Sequence, residues 1–336
     1  MKQVRSLWWA CRVPGLEEPF DTAHLRVFHP ARATGSAAER LTGVVAADAE
    51  YGPFPVVLLL PGINVPADSY RWLAVLLAAR GFVAVTPELV GELFGGSHGV
   101  TPGIDLEACG PGTYGTRATT PLIGAVLTAL AELAPGSPLA GLLDTERVVV
   151  GGHSAGGTVA LQSAAHVPGL RGVFTYGAHT LVASALGHPP GTVLPIGGDV
   201  PVLLMSGEDD GVIAASADRY AATADAGRGA GPADASTDPV ARTFHDALGD
   251  RGGAHAWVKV AGAGHFTLCD PVDPTSARGF LETPGAGEGD ARALIGLLVA
   301  AFCAAALPER RPPADTRAYG ALLSPPHPGL VSVLRR

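Results

Sequence analysis

Charge is scarce in this chain of 336 residues: Asp, Glu, Lys and Arg make up 16%, and the formal net charge is −8. That balance gives no basic footprint for nucleic acid, so no such partner is expected. Only four cysteines are present, Cys11, Cys109, Cys269 and Cys303, and none forms a Cys-x-x-Cys pair. Zinc and dithiol redox motifs are therefore not indicated, and reduced thiols are the default where no export signal is evident. No histidines stand in a metal-ligand spacing such as His-Glu-x-x-His, which argues against a metal hydrolase. Neither a metal nor a cofactor is expected. Long apolar runs are missing as well. Leu7-Trp8-Trp9-Ala10 is too short for a signal-peptide core. Ala293 to Leu307, the longest run, falls short of a membrane span and reads as a buried C-terminal helix. The expectation is a soluble, cytoplasmic protein with no membrane span.

What the chain does have is apolar bulk, at 47% hydrophobic, with 45 glycines and 29 prolines to turn it. That supports a sizeable core, expected as one α/β domain over residues 1–336. His24 to His29 alternates as a half-buried strand does. Leu41 to Ala46 is expected as its neighbour, giving antiparallel strands over residues 20–50. Val56 to Leu60 is a continuous apolar run, as in a strand buried on both faces, and it stops at Pro61-Gly62. A helix from Ser69 to Arg80, closed by Gly81, leads to a second buried strand, Phe82 to Thr86, that Pro87 should halt. Strand, helix, strand implies a parallel sheet.

Thr120-Pro121 should open a helix reaching Leu133. Further strands are expected at Val148 to Val150, Gly172 to Tyr176, Val202 to Met205 and, as the last, Ala256 to Val260. Residues 91–118, 178–200 and 212–250 are candidate lid or substrate-specificity loops. Within the third, 224–239 reads as a surface insertion rich in Ala, Gly and Asp. The tail, 308–336, is expected to wrap the surface.

The stretch from Val148 to Gly157 carries the chemistry. A β-branched run ends in Gly152-His153-Ser154-Ala155-Gly156 and continues into the helix-forming segment Thr158 to Ala164. In that strand-turn-helix context the pattern reads as a nucleophile elbow, with Ser154 raised above the sheet edge. A serine hydroxyl is a poor nucleophile at neutral pH and needs a base within reach. The base needs a third group to fix its tautomer. In such a sheet these follow in the order acid, then histidine, on loops at the carboxyl ends of later strands. Ser206 to Ile213 leaves one such strand and offers Glu208, Asp209 and Asp210. Asp210 is favoured because it lies three residues after Gly207, with Gly211 behind it to permit a turn; Asp209 is the alternative. Of eleven histidines, His265 lies on a glycine-flanked loop after the last expected strand. His153 is read as packing or support, and His179 as lining the site. An oxyanion needs two placed donors. The expected ones are the N–H groups of Ala155 and Ile63, with the Asn64 side chain assisting.

Leu60-Pro61-Gly62, Arg80 to Pro87, Gly152 to Gly157, Gly207 to Asp210 and Gly264-His265 together resemble the α/β-hydrolase superfamily. The resemblance spans residues 52–305 and is strongest to the branch of chlorophyllases, dienelactone-hydrolase-like proteins, cutinase-type polyester hydrolases and platelet-activating-factor acetylhydrolases. It implies an eight-stranded, mostly parallel sheet with helices on both faces. It also implies a serine carboxylic-ester hydrolase with Ser154, Asp210 and His265 as triad, acting on a small-molecule ester or lactone. The chain differs in having Pro61 where many relatives have histidine, and Ser154 where dienelactone hydrolases proper have cysteine. The same triad also serves acyltransferases and lactone-forming or other cyclising enzymes of biosynthetic pathways. A binding protein on the same scaffold is a third reading, against which a complete triad argues.

Overall fold

The computed structural model describes residues 3–93, 95–220, 238–249, 254–275, 288–308, 317–324 and 326–336. Ten strands form one mixed sheet: β1 (Gln3–Arg12), β2 (Thr22–Ala31), β3 (Phe54–Leu60), β4 (Val83–Glu92), β5 (His98–Thr101), β6 (Leu143–His153), β7 (Leu170–Tyr176), β8 (Val202–Gly207), β9 (Ala256–Val260) and β10 (Leu330–Arg335). Their order is β1-β2-β4-β3-β6-β7-β8-β9-β10, with β5 pairing β4 off that path. The pairs from β4 through β3 and β6 to β9 are parallel. Those of β1 with β2, β2 with β4, β4 with β5 and β9 with β10 are antiparallel. The sheet thus has ten strands where eight were expected.

Burial on both faces explains the apolar runs. Every residue of β3 is buried; Val56, Leu58 and Leu60 join one apolar cluster while Val57 and Leu59 join the other. That is the period-2 alternation of a strand covered on two sides. Among the helices, α1 (Ala37–Thr42), α2 (Arg71–Ala78), α3 (Leu122–Ala131), α4 (Ala155–Ser163), α5 (Gly211–Tyr220), α6 (Pro239–Arg242), α7 (Glu288–Ala306) and α8 (Arg317–Leu323), α3 and α4 pack on the first face. Leu73 and Leu77 of α2 and Ile295 and Leu298 of α7 pack on the second. By length and composition α7 could cross a membrane, but Ile295, Leu298 and Val299 are fully buried, and Phe302 meets the Phe174 ring edge-on at 6.4 Å.

Four expectations need correction. Leu41 to Ala46 is not a strand: Ser36 caps α1 by accepting from the Glu39 N–H, Gly43 closes it in a left-handed conformation, and Leu41 is 88% exposed. The neighbour of β2 on that side is β1. Pro87 does not halt β4, because β3 pairs only as far as Val85 and at Pro87 the strand is paired through β2 alone. An edge left empty has no use for the missing N–H. The segment 69–80 divides, with a 3-10 turn at Ala67–Tyr70 before α2. The tail adds a strand, β10, beyond the one expected to be last. Of the three candidate loops, 91–118 contains β5 and a turn in which Arg117 bridges Asp105 at 3.0 Å and Glu107 at 3.1 Å. Most of the expected insertion at 224–239 lies outside the described residues.

The β10 edge yields a test. His255 and Arg336 exchange backbone hydrogen bonds of 3.1 and 3.0 Å, and the Arg336 guanidinium holds the Gly249 carbonyl at 2.7 Å. Deleting residues 326–336 leaves β9 as a bare edge. A lower thermal midpoint and concentration-dependent association by light scattering are expected; an unchanged midpoint and unchanged association would contradict the edge-sealing role.

Candidate active site

At the carboxyl end of β6 the chain turns from strand to helix in one residue. Ser154 takes φ 52° and ψ −124°, a positive φ rare outside glycine that stores about 1–3 kcal/mol of strain. Two contacts hold it there: its N–H donates to the Tyr176 carbonyl, and its own carbonyl accepts from the Thr158 N–H, both at 3.0 Å. The flanking glycines are required by space. A Cβ on Gly152 would fall 2.3 Å from the Gly156 carbonyl carbon, and one on Gly156 would fall 2.5 Å from the carbonyl oxygens of Leu60 and Pro61. The elbow is therefore pressed against the end of β3.

Two strands along the same edge, β8 ends at Gly207 and three carboxylates follow. Glu208 and Asp209 are exposed, and Glu208 accepts from the Gly262 N–H at 3.2 Å. Asp210 is only 6% exposed, and both its oxygens lie 3.0 Å from Nδ1 of His265, itself 2% exposed. Burial pushes the Asp210 carboxyl up; the His265 imidazole, the Ile213 N–H and His153 outweigh it, and the net direction is down. An ionised carboxylate only accepts, so Nδ1 carries the proton and Nε2 of a neutral His265 is left as the basic nitrogen.

Gly177, one residue past the end of β7, sits beneath this pair. At φ 59° its missing Cβ would come 2.9 Å from His265 Nδ1 and 3.0 Å from Asp210 Oδ2. Its neighbour Tyr176 accepts from the Ser154 N–H and donates its hydroxyl to the Gly264 carbonyl at 2.6 Å. Serine turn, acid and histidine thus meet around Tyr176-Gly177; in the sequence Tyr176 marks only the end of an expected strand, and Gly177 carries no expectation.

The turn after β3 closes the other side. A Cβ on Gly62 would stand 3.3 Å from Ser154 Cβ and 3.0 Å from His153 Nδ1. Ile63 and Ala155 are half-buried beside it, and among the described residues neither N–H has a protein acceptor. Asn64, at φ 55°, donates its N–H to the Val100 carbonyl at 2.8 Å, and its side chain lies against Gly99. That anchors the turn to β5. His179 is buried near the same edge, its imidazole pushed down to about 4 by burial, and its carbonyl accepts from the Thr158 hydroxyl at 2.9 Å. Glu88 supports the α2 approach by accepting from the Ala67 N–H at 2.9 Å.

Two side chains at this site escaped the sequence reading in whole or part. His153 bonds Tyr70 through Nδ1 at 2.9 Å and the His265 carbonyl through Nε2 at 3.0 Å, and burial pushes its imidazole down to about 3. Its place beside the serine was visible in the sequence. Tyr70, distant in sequence and at the end of a 3-10 turn, carried no signal. Among the described residues no group of three or more His, Cys, Asp or Glu could hold a metal ion. No protein-family model matches the chain, and no curated protein matches its sequence.

The buried imidazoles set an acid sensitivity. His153 and His179 stay neutral in the fold down to about 3 and about 4, whereas in the unfolded chain they bind protons below about pH 6.5. The unfolded state binds more protons in that window, so stability falls with falling pH, by up to about 1.4 kcal/mol per pH unit for each histidine. The depressed Asp210 carboxyl adds a loss of the same sign at lower pH. Urea titrations between about pH 7 and about pH 4.5 should show the midpoint dropping; a flat profile would contradict the assignment.

Proposed function

We propose that the chain is a serine-dependent carboxylic-ester hydrolase of the α/β-hydrolase type, acting on a small or medium apolar ester through an acyl-enzyme. The observation that carries this reading is the buried Asp210–His265 pair at the sheet edge where Ser154 stands on its strained turn. In this mechanism the Ser154 oxygen attacks the ester carbonyl while His265 Nε2 takes its proton. Collapse of the tetrahedral intermediate breaks the carbonyl–alkoxy bond, and His265 returns the proton to the departing alcohol. Water, deprotonated by the same nitrogen, then attacks the acyl-serine and releases the acid. Asp210 holds the tautomer and stabilises the imidazolium that forms in each half-reaction. The N–H groups of Ile63 and Ala155 hold the oxyanion.

The sheet is consistent with that fold type. Setting aside β5 and the edge strand β10 leaves eight of the ten strands, in the order β1-β2-β4-β3-β6-β7-β8-β9, with β2 running against both its neighbours. The first test is reaction with a fluorophosphonate and turnover of p-nitrophenyl butyrate. Wild-type protein should be labelled at Ser154 and hydrolyse the ester. Ser154→Ala and Asp210→Asn should each lose about 10⁴-fold or more in kcat while remaining folded. A folded wild type that neither labels nor turns over any acyl ester would sink the proposal.

A further inference from the structure

The hydrogen bonds around His153 fix the tautomer of its ring. The His265 carbonyl has none to give, so His153 Nε2 donates to it at 3.0 Å. The other nitrogen of a neutral imidazole accepts, and the Tyr70 hydroxyl, 2.9 Å from Nδ1, donates to it. The Tyr70 oxygen in turn accepts the Gly62 N–H at 3.0 Å. Burial keeps both rings in these states, driving the phenol well above its ordinary value and the imidazole down to about 3. The Cys269 thiol, 3.9 Å from Nδ1, is pushed up to about 12 by burial and remains protonated. The chain therefore runs Gly62 N–H to Tyr70, Tyr70 to His153, and His153 to the backbone of His265.

Each end of that chain touches a working part. At Gly62 the N–H is taken by Tyr70 and the carbonyl by the Val65 N–H at 3.2 Å. Tyr70 thus holds the Pro61–Gly62 peptide and Val65 holds the Gly62–Ile63 peptide by its carbonyl, so the planes on both sides of the Gly62 Cα are fixed. The Ile63 N–H, opposite the held carbonyl, is left as the donor this turn can offer toward Ser154. At the far end the held carbonyl belongs to His265 itself, so the backbone bearing the base is fixed from within the core. The middle, His153, is the covalent neighbour of Ser154.

We propose that Tyr70 and His153 are positioning residues: a single buried hydrogen-bonded chain that holds the oxyanion turn and the general base in register with the nucleophile. The inference rests on the hydrolase reading above. His153 in this role is neither a second base nor a ligand, and its worth lies in the geometry it imposes on Ile63 and His265.

The test compares Tyr70→Phe, His153→Asn and His153→Gln. Asparagine places an amide oxygen near the Nδ1 position and keeps the acceptor for Tyr70; glutamine places an amide nitrogen near Nε2 and keeps the donor to His265. For each, kcat and KM on p-nitrophenyl butyrate are measured with the thermal midpoint and the affinity for a trifluoromethyl ketone, whose serine adduct carries an oxyanion. Tyr70→Phe and His153→Asn should lower kcat by about 10- to 100-fold with little change in KM. Trifluoromethyl ketone affinity should fall by the same factor, and His153→Gln should recover part of the loss.

Folded variants with wild-type kcat would overturn the inference, as would a lowered midpoint with ketone affinity unchanged. If a His153 variant fails to fold, Tyr70→Phe, which keeps the ring in place, decides the matter. A wild type inert toward esters would overturn the hydrolase reading and this inference with it. An active wild type indifferent to Tyr70→Phe would overturn this inference alone.

Discussion

A carboxylate buried beside an imidazole is the constraint around which this molecule is arranged. Taking Asp210 out of water as an anion is strongly unfavourable unless partners replace its hydration. It has two here. His265 Nδ1 approaches both oxygens, and the Ile213 N–H, in the first turn of α5, donates to Oδ1 at 2.9 Å. The side chain thus caps a helix and orients an imidazole at once, with the helix's N-terminal dipole favouring its charge. Gly177 lies beneath the pair because nothing larger fits, and Tyr176 links the same point to the serine turn.

Parallel pairing explains why these residues meet. The strands β6, β7, β8 and β9 are consecutive neighbours with the same direction, so the loops leaving their carboxyl ends emerge at one edge. Ser154, Gly177, Asp210 and His265 each follow one of these strands. The contribution of β3 comes from the other side, through Pro61-Gly62-Ile63, whose close approach to α4 is permitted by Gly156. Beneath this edge the His153–Tyr70 chain supplies polar contacts that cross between the elements.

Much of this was legible in the sequence, for identifiable reasons. Strands buried on both faces announce themselves as unbroken apolar runs, which is why β3, β6, β7, β8 and β9 were read near their observed places. The order of Ser154, Asp210 and His265 on loops after such strands needed only the strand positions and the glycines around them. The edge strands were harder. β1 alternates half-buried and exposed residues over Gln3–Arg12, and the apolar stub Leu7 to Ala10 drew attention only as a failed export signal. β10 lies past a Pro- and Arg-rich stretch that looked like a surface tail. Pro87 misled because a proline breaks a strand only where its N–H has a partner to lose. Tyr70 could not be found, since its role depends on a hydroxyl meeting a histidine 83 positions away.

The central claim concerns two histidines held as opposite tautomers, and histidine nitrogen NMR on ¹⁵N-labelled protein reads it directly. His265 should carry its proton on Nδ1, with a strongly downfield resonance that disappears in Asp210→Asn. His153 should carry its proton on Nε2 and stay neutral through mildly acidic pH. A His265 protonated on Nε2 alone, or a His153 with its proton on Nδ1, would contradict the account.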